Sequence, residues 1–210
     1  MSQHRPIAVT TILAALLLAG CGTDEAQAPA ADTNTGTPAA TSEATATTAV
    51  GEVPDGVAAQ YATLAEEIEA EGGRTTSGDW EVAYIVEPAE PWFETTDGEP
   101  TRREPAAGET HHLEIIPIEA ATGRIVPEVP IRLEVLDDTG EVVDEKELMF
   151  FNAEFFHYAH NFSIPDEGDY TLRATLQPPE FTRHGESVEA LTLLEPVPVT
   201  FEDVRLEPAA

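Results

Sequence analysis

Cysteine, lysine and positive charge are nearly absent from this chain. Of its 210 residues, one is cysteine (Cys21) and one is lysine (Lys146), while ten lysines and arginines face 40 aspartates and glutamates, for a formal charge of −30. A single thiol excludes an internal disulfide and every Cys-x-x-Cys metal or redox motif. An acidic excess of this size repels nucleic acid and anionic lipid, so nucleic acid is not a partner. The charge by itself defines no site. A dense carboxylate surface keeps a protein hydrated in saline surroundings and draws cations only diffusely. Long apolar runs are missing too. The longest, residues 7–19, is interrupted by Thr10 and Thr11, and it falls short of the roughly 20 residues a membrane-crossing helix requires. With no phosphate-cradling glycine loop and no local Ser-His-Asp or Cys-His signature, the chain reads as a non-enzyme.

Arg5 ahead of the apolar run and small residues behind it match a secretory signal. The segment Leu17-Leu18-Ala19-Gly20-Cys21 resembles the lipobox of bacterial lipoproteins. That resemblance implies a signal peptide over 1–20 and lipidation of Cys21. The protein would then sit in the cell envelope, lipid-anchored to a membrane and facing the periplasm or the cell exterior. Two or three acyl chains anchor stably where one does not. From Cys21 to residue 52 the chain is alanine, threonine, proline, glycine and acid, with almost no large apolar residue. Such a segment cannot bury enough surface to offset ordering entropy, and it reads as a disordered linker. As a coil it reaches roughly 30 Å. Residues 53–210 are long enough for one domain with a core.

Within that domain, Val57, Tyr61, Leu64 and Ile68 recur at helical spacing, with Asp55 at the expected N-cap and Gly72-Gly73 as the stop. This spacing predicts one helix over 55–71. Strands are predicted at 80–86, 112–118, 131–135, 142–151, 155–164, 170–176 and 197–204, with a hairpin turn at Asp137-Asp138-Thr139-Gly140 and a polar loop over 95–108. The fold class that follows is mainly β: an immunoglobulin-like antiparallel β-sandwich preceded by one short helix. Asp166-Glu167-Gly168-Asp169-Tyr170 has the spacing of a tyrosine corner, which turns Tyr170, Leu172, Ala174 and Leu176 toward the core.

The residues suited to chemistry are His111, His112, His157, His160, His184, Met149 and Glu114. Side chains alternate along a strand, so His112 and Glu114 share a face that His111 does not, and His157 and Asn161 share a face that His160 does not. The convergent set is therefore His112 or His111, Glu114, His157 or His160, His184 and Met149. Imidazole with thioether suits copper, and a carboxylate makes room for ferrous iron, manganese or zinc. The competing reading is a metal-free immunoglobulin-like module that binds a protein or glycan through Trp80, Trp92 or exposed phenylalanines.

In order along the chain come His112-Leu113-Glu114, Met149, His157-Tyr158 with Asn161, Gly168-Asp169-Tyr170, Pro178-Pro179 and Arg183-His184. This ordered set resembles the periplasmic Fe(2+) transport protein family over roughly residues 80–204. The resemblance implies an immunoglobulin-like sandwich, often a homodimer, that binds copper and serves ferrous iron uptake with a partner permease. Carried over residue by residue, it makes His112, Glu114, His157 and His184 metal ligands, with Met149 a looser match, for copper and/or Fe(2+). The chain departs from the pattern at Ala159, where relatives carry glycine, and at Glu154-Phe155-Phe156, where they carry Asp-Gly-Pro. It also has one extra residue between Met149 and His157; either a β-bulge absorbs it, or Met149 is not a ligand and the histidine-rich site favours zinc, copper(II) or iron over copper(I). The function expected on these grounds is a cell-envelope metal-binding lipoprotein accessory to ferrous iron uptake.

Overall fold

The computed structural model describes residues 53–207. The expected signal peptide, the lipidated Cys21 and the linker to residue 52 lie outside the described residues. Helix α1 (Asp55–Glu71) forms on the spacing of Leu64 and Ile68, its two buried residues. Pro54, not Asp55, occupies the N-cap and makes no side-chain cap. Its carbonyl accepts from the Val57 and Ala58 N–H groups. Asp55 is instead the first helical residue, where its charge suits the positive end of the helix dipole. Among the described residues, no helix is long and apolar enough to cross a membrane.

Strand β1 (Gly72–Ser77) follows α1 with no intervening residue. The glycine pair that predicts only a helix stop also starts this strand. β1 pairs antiparallel with β2 (Trp80–Pro88), with Gly72 opposite Ile85. Gly72 has an ordinary extended φ of −148°. Glycine is needed there for space, because a Cβ would lie 1.9 Å from the Tyr84 carbonyl oxygen.

The polar loop expected over 95–108 instead contains a hairpin, β3 (Trp92–Thr96) with β4 (Glu99–Arg103). It turns at Asp97-Gly98, both at positive φ (54° and 85°), the geometry that Asp-Gly favours between strands. The remaining strands are β5 (His111–Glu119), β6 (Arg124–Ile125), β7 (Ile131–Leu136), β8 (Val142–Glu147), β9 (Met149–Asn152), β10 (Phe156–Phe162), β11 (Gly168–Leu176) and β12 (Val197–Leu206). They build two antiparallel sheets, β1-β2-β5-β10-β9 with β6 beside β5, and β12-β11-β7-β8. The single strand predicted over 142–151 is two strands. Leu148 donates its N–H to the Ile131 carbonyl (2.8 Å), and there the chain leaves one sheet for the other.

The main core lies between the sheets, where Leu113, Ile115, Leu133, Phe162 and Leu172 are wholly buried. Each such side chain contributes about 1.5–3 kcal/mol. Tyr170 joins this core and donates its hydroxyl to the Asp166 carbonyl (2.8 Å), closing the tyrosine corner. A second, smaller core lies on the opposite face of the larger sheet. There α1 sets Leu64 and Ile68 against Ile85, Ile116 and Phe155. β5 is thus buried on both faces, and two sequence-predicted site residues, His112 and Glu114, lie on its α1 side.

Candidate metal centre

The register of the larger sheet decides which polar side chains meet. β5 and β10 run antiparallel with His112 opposite Asn161 and Glu114 opposite Ala159. Paired residues share a face, so His112, Glu114, His157 and Asn161 all project toward the α1 side. Ala159 carries only a methyl group, which leaves room above it. His112, Glu114 and His157 each offer a ligand atom within 4.8 Å of the others. The Nε2 atoms of His112 and His157 lie 4.0 and 3.5 Å from Glu114 Oε1. All three residues are only 3 to 5 % exposed. Glu114 Oε2 is buried without a hydrogen-bond partner, and an orphaned carboxylate oxygen of this kind is a position that a bound cation satisfies.

Asn161 sets the orientation of His112. The Glu90 N–H donates to Asn161 Oδ1 (3.1 Å) and Asn161 Nδ2 donates to the Glu90 carbonyl (2.8 Å). A backbone N–H only donates and a carbonyl only accepts, so the amide can face only one way. Oδ1 therefore accepts from His112 Nδ1 at 2.8 Å, which places the proton on Nδ1 and leaves the Nε2 lone pair free. His157 is fixed the same way, because its Nδ1 can only donate to the Phe155 carbonyl (3.3 Å). Its ring also stacks on Phe151 (centroids 5.5 Å apart, 9° between planes). Both free Nε2 atoms are directed at Glu114, and a partner on the far nitrogen is what orients a metal-ligating histidine. Asn161 in turn donates to Glu109 (3.3 Å), whose carboxylate takes both arms of the Arg103 guanidinium. That guanidinium lies 4.0 Å over the Trp92 ring.

The 3.5 Å separation of His157 and Glu114 is that of an ion pair, but the environment opposes charge on both. Burial first, then repulsion from Glu87, Glu67, Glu90 and Glu154, pushes Glu114 up to about 9. Burial lowers His157 to about 4, with His112 adding to the shift. His112 is also lowered by burial. At neutral pH the cluster is a protonated acid facing two neutral imidazoles, and neutral imidazole is the form that binds metal. Glu87, opposite His112 on β2, is pushed up to about 7 by burial and by Glu90, Glu67, Glu71 and Glu154.

The other sequence-predicted residues fall in different places. Met149 on β9 is opposite Ala159, in the same row across the sheet as Glu114. The β9–β10 pairing runs without a register shift, so no bulge absorbs the extra residue. His111 engages both ring nitrogens, with Thr110 (2.8 Å) and the Glu207 carbonyl (2.7 Å), and stands apart from the cluster. His160 leaves β10 on the opposite pleat, and its ring meets the edge of Trp92 (5.6 Å). His184 is not brought to the cluster. It lines a separate open cavity of about 550 Å³ with Glu119, Arg124, Phe181 and Arg183. Of the partner-binding candidates of the metal-free reading, Trp80 and Trp92 are buried, whereas Phe93, Phe150 and Phe156 are exposed. Sequence reasoning placed Asn161 beside His157 but assigned it no role. Its signal was the alternation that put it on the ligand face.

A buried cluster of two histidines and one carboxylate on an antiparallel sandwich marks a metal-binding protein of the immunoglobulin-like class. Residues 92–205 match the Fe2+ transport protein family, and the chain belongs to that family. The solved structure of FetP from uropathogenic E. coli strain F11 is similar, at 24% identity and a TM-score of 0.51, covering 65% of this chain and 96% of that one. A copper-bound variant of P19 from Campylobacter jejuni has 21% identity and a TM-score of 0.53, covering 67% of this chain and 98% of its own. A copper-bound glutamate-to-glutamine variant of FetP has 22% identity and a TM-score of 0.53, with coverage of 66% and 92%. These likenesses establish the shared sandwich fold. No curated protein matches the sequence.

Proposed function

We propose that this chain is a cell-envelope lipoprotein that binds copper and/or ferrous iron as cargo and supports ferrous iron uptake. The observation that carries the reading is the convergence of His112 Nε2, His157 Nε2 and Glu114 Oε1, with Glu114 Oε2 left unpartnered. Two neutral imidazoles and a carboxylate suit borderline divalent metals, and a thioether from Met149 would tilt the set toward copper. The copper seen in the P19 and FetP variants and the iron-transport family support the same cargo. His112 and His157 supply nitrogen, Glu114 supplies oxygen, and Met149 selects the metal. His184 is assigned a secondary place because of its distance from the cluster in the fold. The site holds and hands over metal and performs no bond chemistry.

In this reading residues 1–20 are a signal peptide and Cys21 carries the lipid. Residues 21–52 tether the domain near an iron permease in the membrane, and a second copy of the chain is a further partner. The test is calorimetric titration of the full chain carrying Cys21→Ser, so that no thiolate competes, with copper(II) and with anaerobic ferrous iron. Stoichiometric binding that disappears in the His112→Ala, His157→Ala double variant supports the site. Equal binding by both proteins overturns it.

A further inference from the structure

A buried site that takes up and hands over metal needs an entry path. His112, Glu114 and His157 are all buried, so a neighbour must move before an ion passes. The rings around the two imidazoles narrow the choice. Phe151 lies 5.8 Å from His112 and 5.5 Å from His157, centroid to centroid, and the ladder from β9 to β10 holds it in place. Phe155, 5.6 Å from His157, packs into the α1 core. Trp92 completes the cover, 6.3 Å from His112 and 5.6 Å from Phe151.

Of these three rings, only Trp92 belongs to an element that pairs with neither main sheet. β3 and β4 pair with each other alone, and a lone two-stranded hairpin is marginal in water. Within it Trp92 is buried, Arg103 is half-buried and the other residues are exposed. The Trp92 indole N–H donates to Glu94 Oε1 (2.8 Å) in the same hairpin. The ring can therefore leave its seat without giving up a hydrogen bond to the sheets.

The two ends of the hairpin are held unequally. Ahead of it the backbone is pinned: the Ala89 N–H donates to the Thr110 carbonyl (3.1 Å), and Asn161 holds Glu90 at both its N–H and its carbonyl. Behind it the tie runs through Glu109, which accepts from both arms of Arg103 (2.9 and 2.5 Å) and from the Ala106 N–H (2.7 Å). Among the described residues, 91–108 makes no other hydrogen bond to the sheets. The Arg103 guanidinium that makes this tie also lies over the Trp92 ring, so breaking one ion pair frees both the strand end and the ring. An element held by one buried side chain and one ion pair opens at lower cost than the laddered sheets around it.

We propose that the β3–β4 hairpin is a gate over the imidazole cluster, with Trp92 as its plug, Glu90-Pro91 as its hinge and Arg103–Glu109 as its latch. The gate sets how fast metal enters and leaves. It does not set how tightly metal is held, because the indole has no free lone pair to offer and closes over the empty and the filled site alike. The inference rests on the imidazole site proposed above.

The first experiment needs no metal. The full-length chain is treated with diethyl pyrocarbonate, which modifies accessible neutral imidazoles, and the products are mapped by mass spectrometry. Exposed His184 reports the reagent, and buried His111, which stands apart from the cluster, reports general unfolding. Trp92→Ala should speed modification of His112 and His157 by about tenfold, with His111 and His184 unchanged. Arg103→Gln should speed it by about threefold and carries the test if the first variant does not fold. Unaltered rates overturn the gate, as does a rise shared by His111. The second experiment follows copper(II) uptake and release by rapid mixing. In Trp92→Ala both rates should rise by the same factor and Kd should hold, whereas Trp92→Phe should keep most of the delay. Faster release with unchanged uptake overturns the gate, because it makes Trp92 part of the binding site. If copper(II) never binds, the imidazole reading falls, and the modification rates still uphold or overturn the gate.

Discussion

Replacing Glu114 by glutamine should make the metal-free protein more stable at neutral pH. The unfolded chain ionises this carboxyl above its ordinary value of 4.5, whereas the fold holds its proton until about 9. Between those values the folded state binds more protons than the unfolded state, so stability falls as pH rises through the window. At pH 7 the deficit spans about 2.5 pH units, which is roughly 3 kcal/mol. Glutamine has the shape of the protonated acid but no proton to lose, so it escapes the slope. For a domain of this size the difference corresponds to a melting temperature raised by roughly 10 °C at pH 7. Near pH 4.5 the two proteins should melt together. Glu87, also raised, contributes its slope to both proteins and largely drops out of the difference. Scanning calorimetry of both chelator-treated proteins from pH 4.5 to 9 reads this directly. Metal at about 1,000 times its Kd should then reverse the order, since it adds about 4.1 kcal/mol to the form that binds it. Parallel melting curves across the pH range, or a glutamine variant less stable at pH 7, would refute the reasoning.

Asn161→Ala removes the support of His112 and orphans the Glu90 N–H and carbonyl. Metal affinity should fall about 10–100-fold and stability by about 2–4 kcal/mol, read by calorimetric titration and urea unfolding. Arg103→Gln should cost on the order of 2 kcal/mol at pH 7, because hydrogen bonds from Arg103 first, then Ala106 and Asn161, hold Glu109 down at about 2 and the variant loses the strongest of them. That stability is present above pH 4.5 and is lost as pH falls toward 2, so the two unfolding free energies should converge in acid. Tyr170→Phe deletes the hydrogen bond to the Asp166 carbonyl and should lower stability by about 1 kcal/mol, a few degrees in melting temperature, with metal binding unchanged.

Residues that act through strand alternation were legible in the sequence. Alternation alone put His112 with Glu114 and His157 with Asn161, and the antiparallel register then brought the two pairs together. The tyrosine corner was legible because it depends on a local spacing. The features that were missed depend on distant partners. β1 is a glycine-led polar segment that becomes a strand only because β2 is there to pair with it. The division of 142–151 at Leu148 reflects a change of sheet that no local pattern encodes. His184 follows the ligand motifs in chain order, yet the connection between β11 and β12 carries it to another cavity. The role of Asn161 emerged only once the Glu90 backbone was seen to fix its amide.

The close fit of Gly72 has a consequence for genetics. Any side chain at this position must push β1 away from the Tyr84 carbonyl, and α1 is joined to β1 without a spacer. The helix would tilt with the strand and carry Leu64 and Ile68 off the small core they share with Ile85 and Ile116, beside the imidazole cluster. A random screen for variants that no longer retain metal should therefore return Gly72, a residue with no donor atom in its side chain. Such a hit would report a lever, and mapping hits by proximity to the metal would miss it.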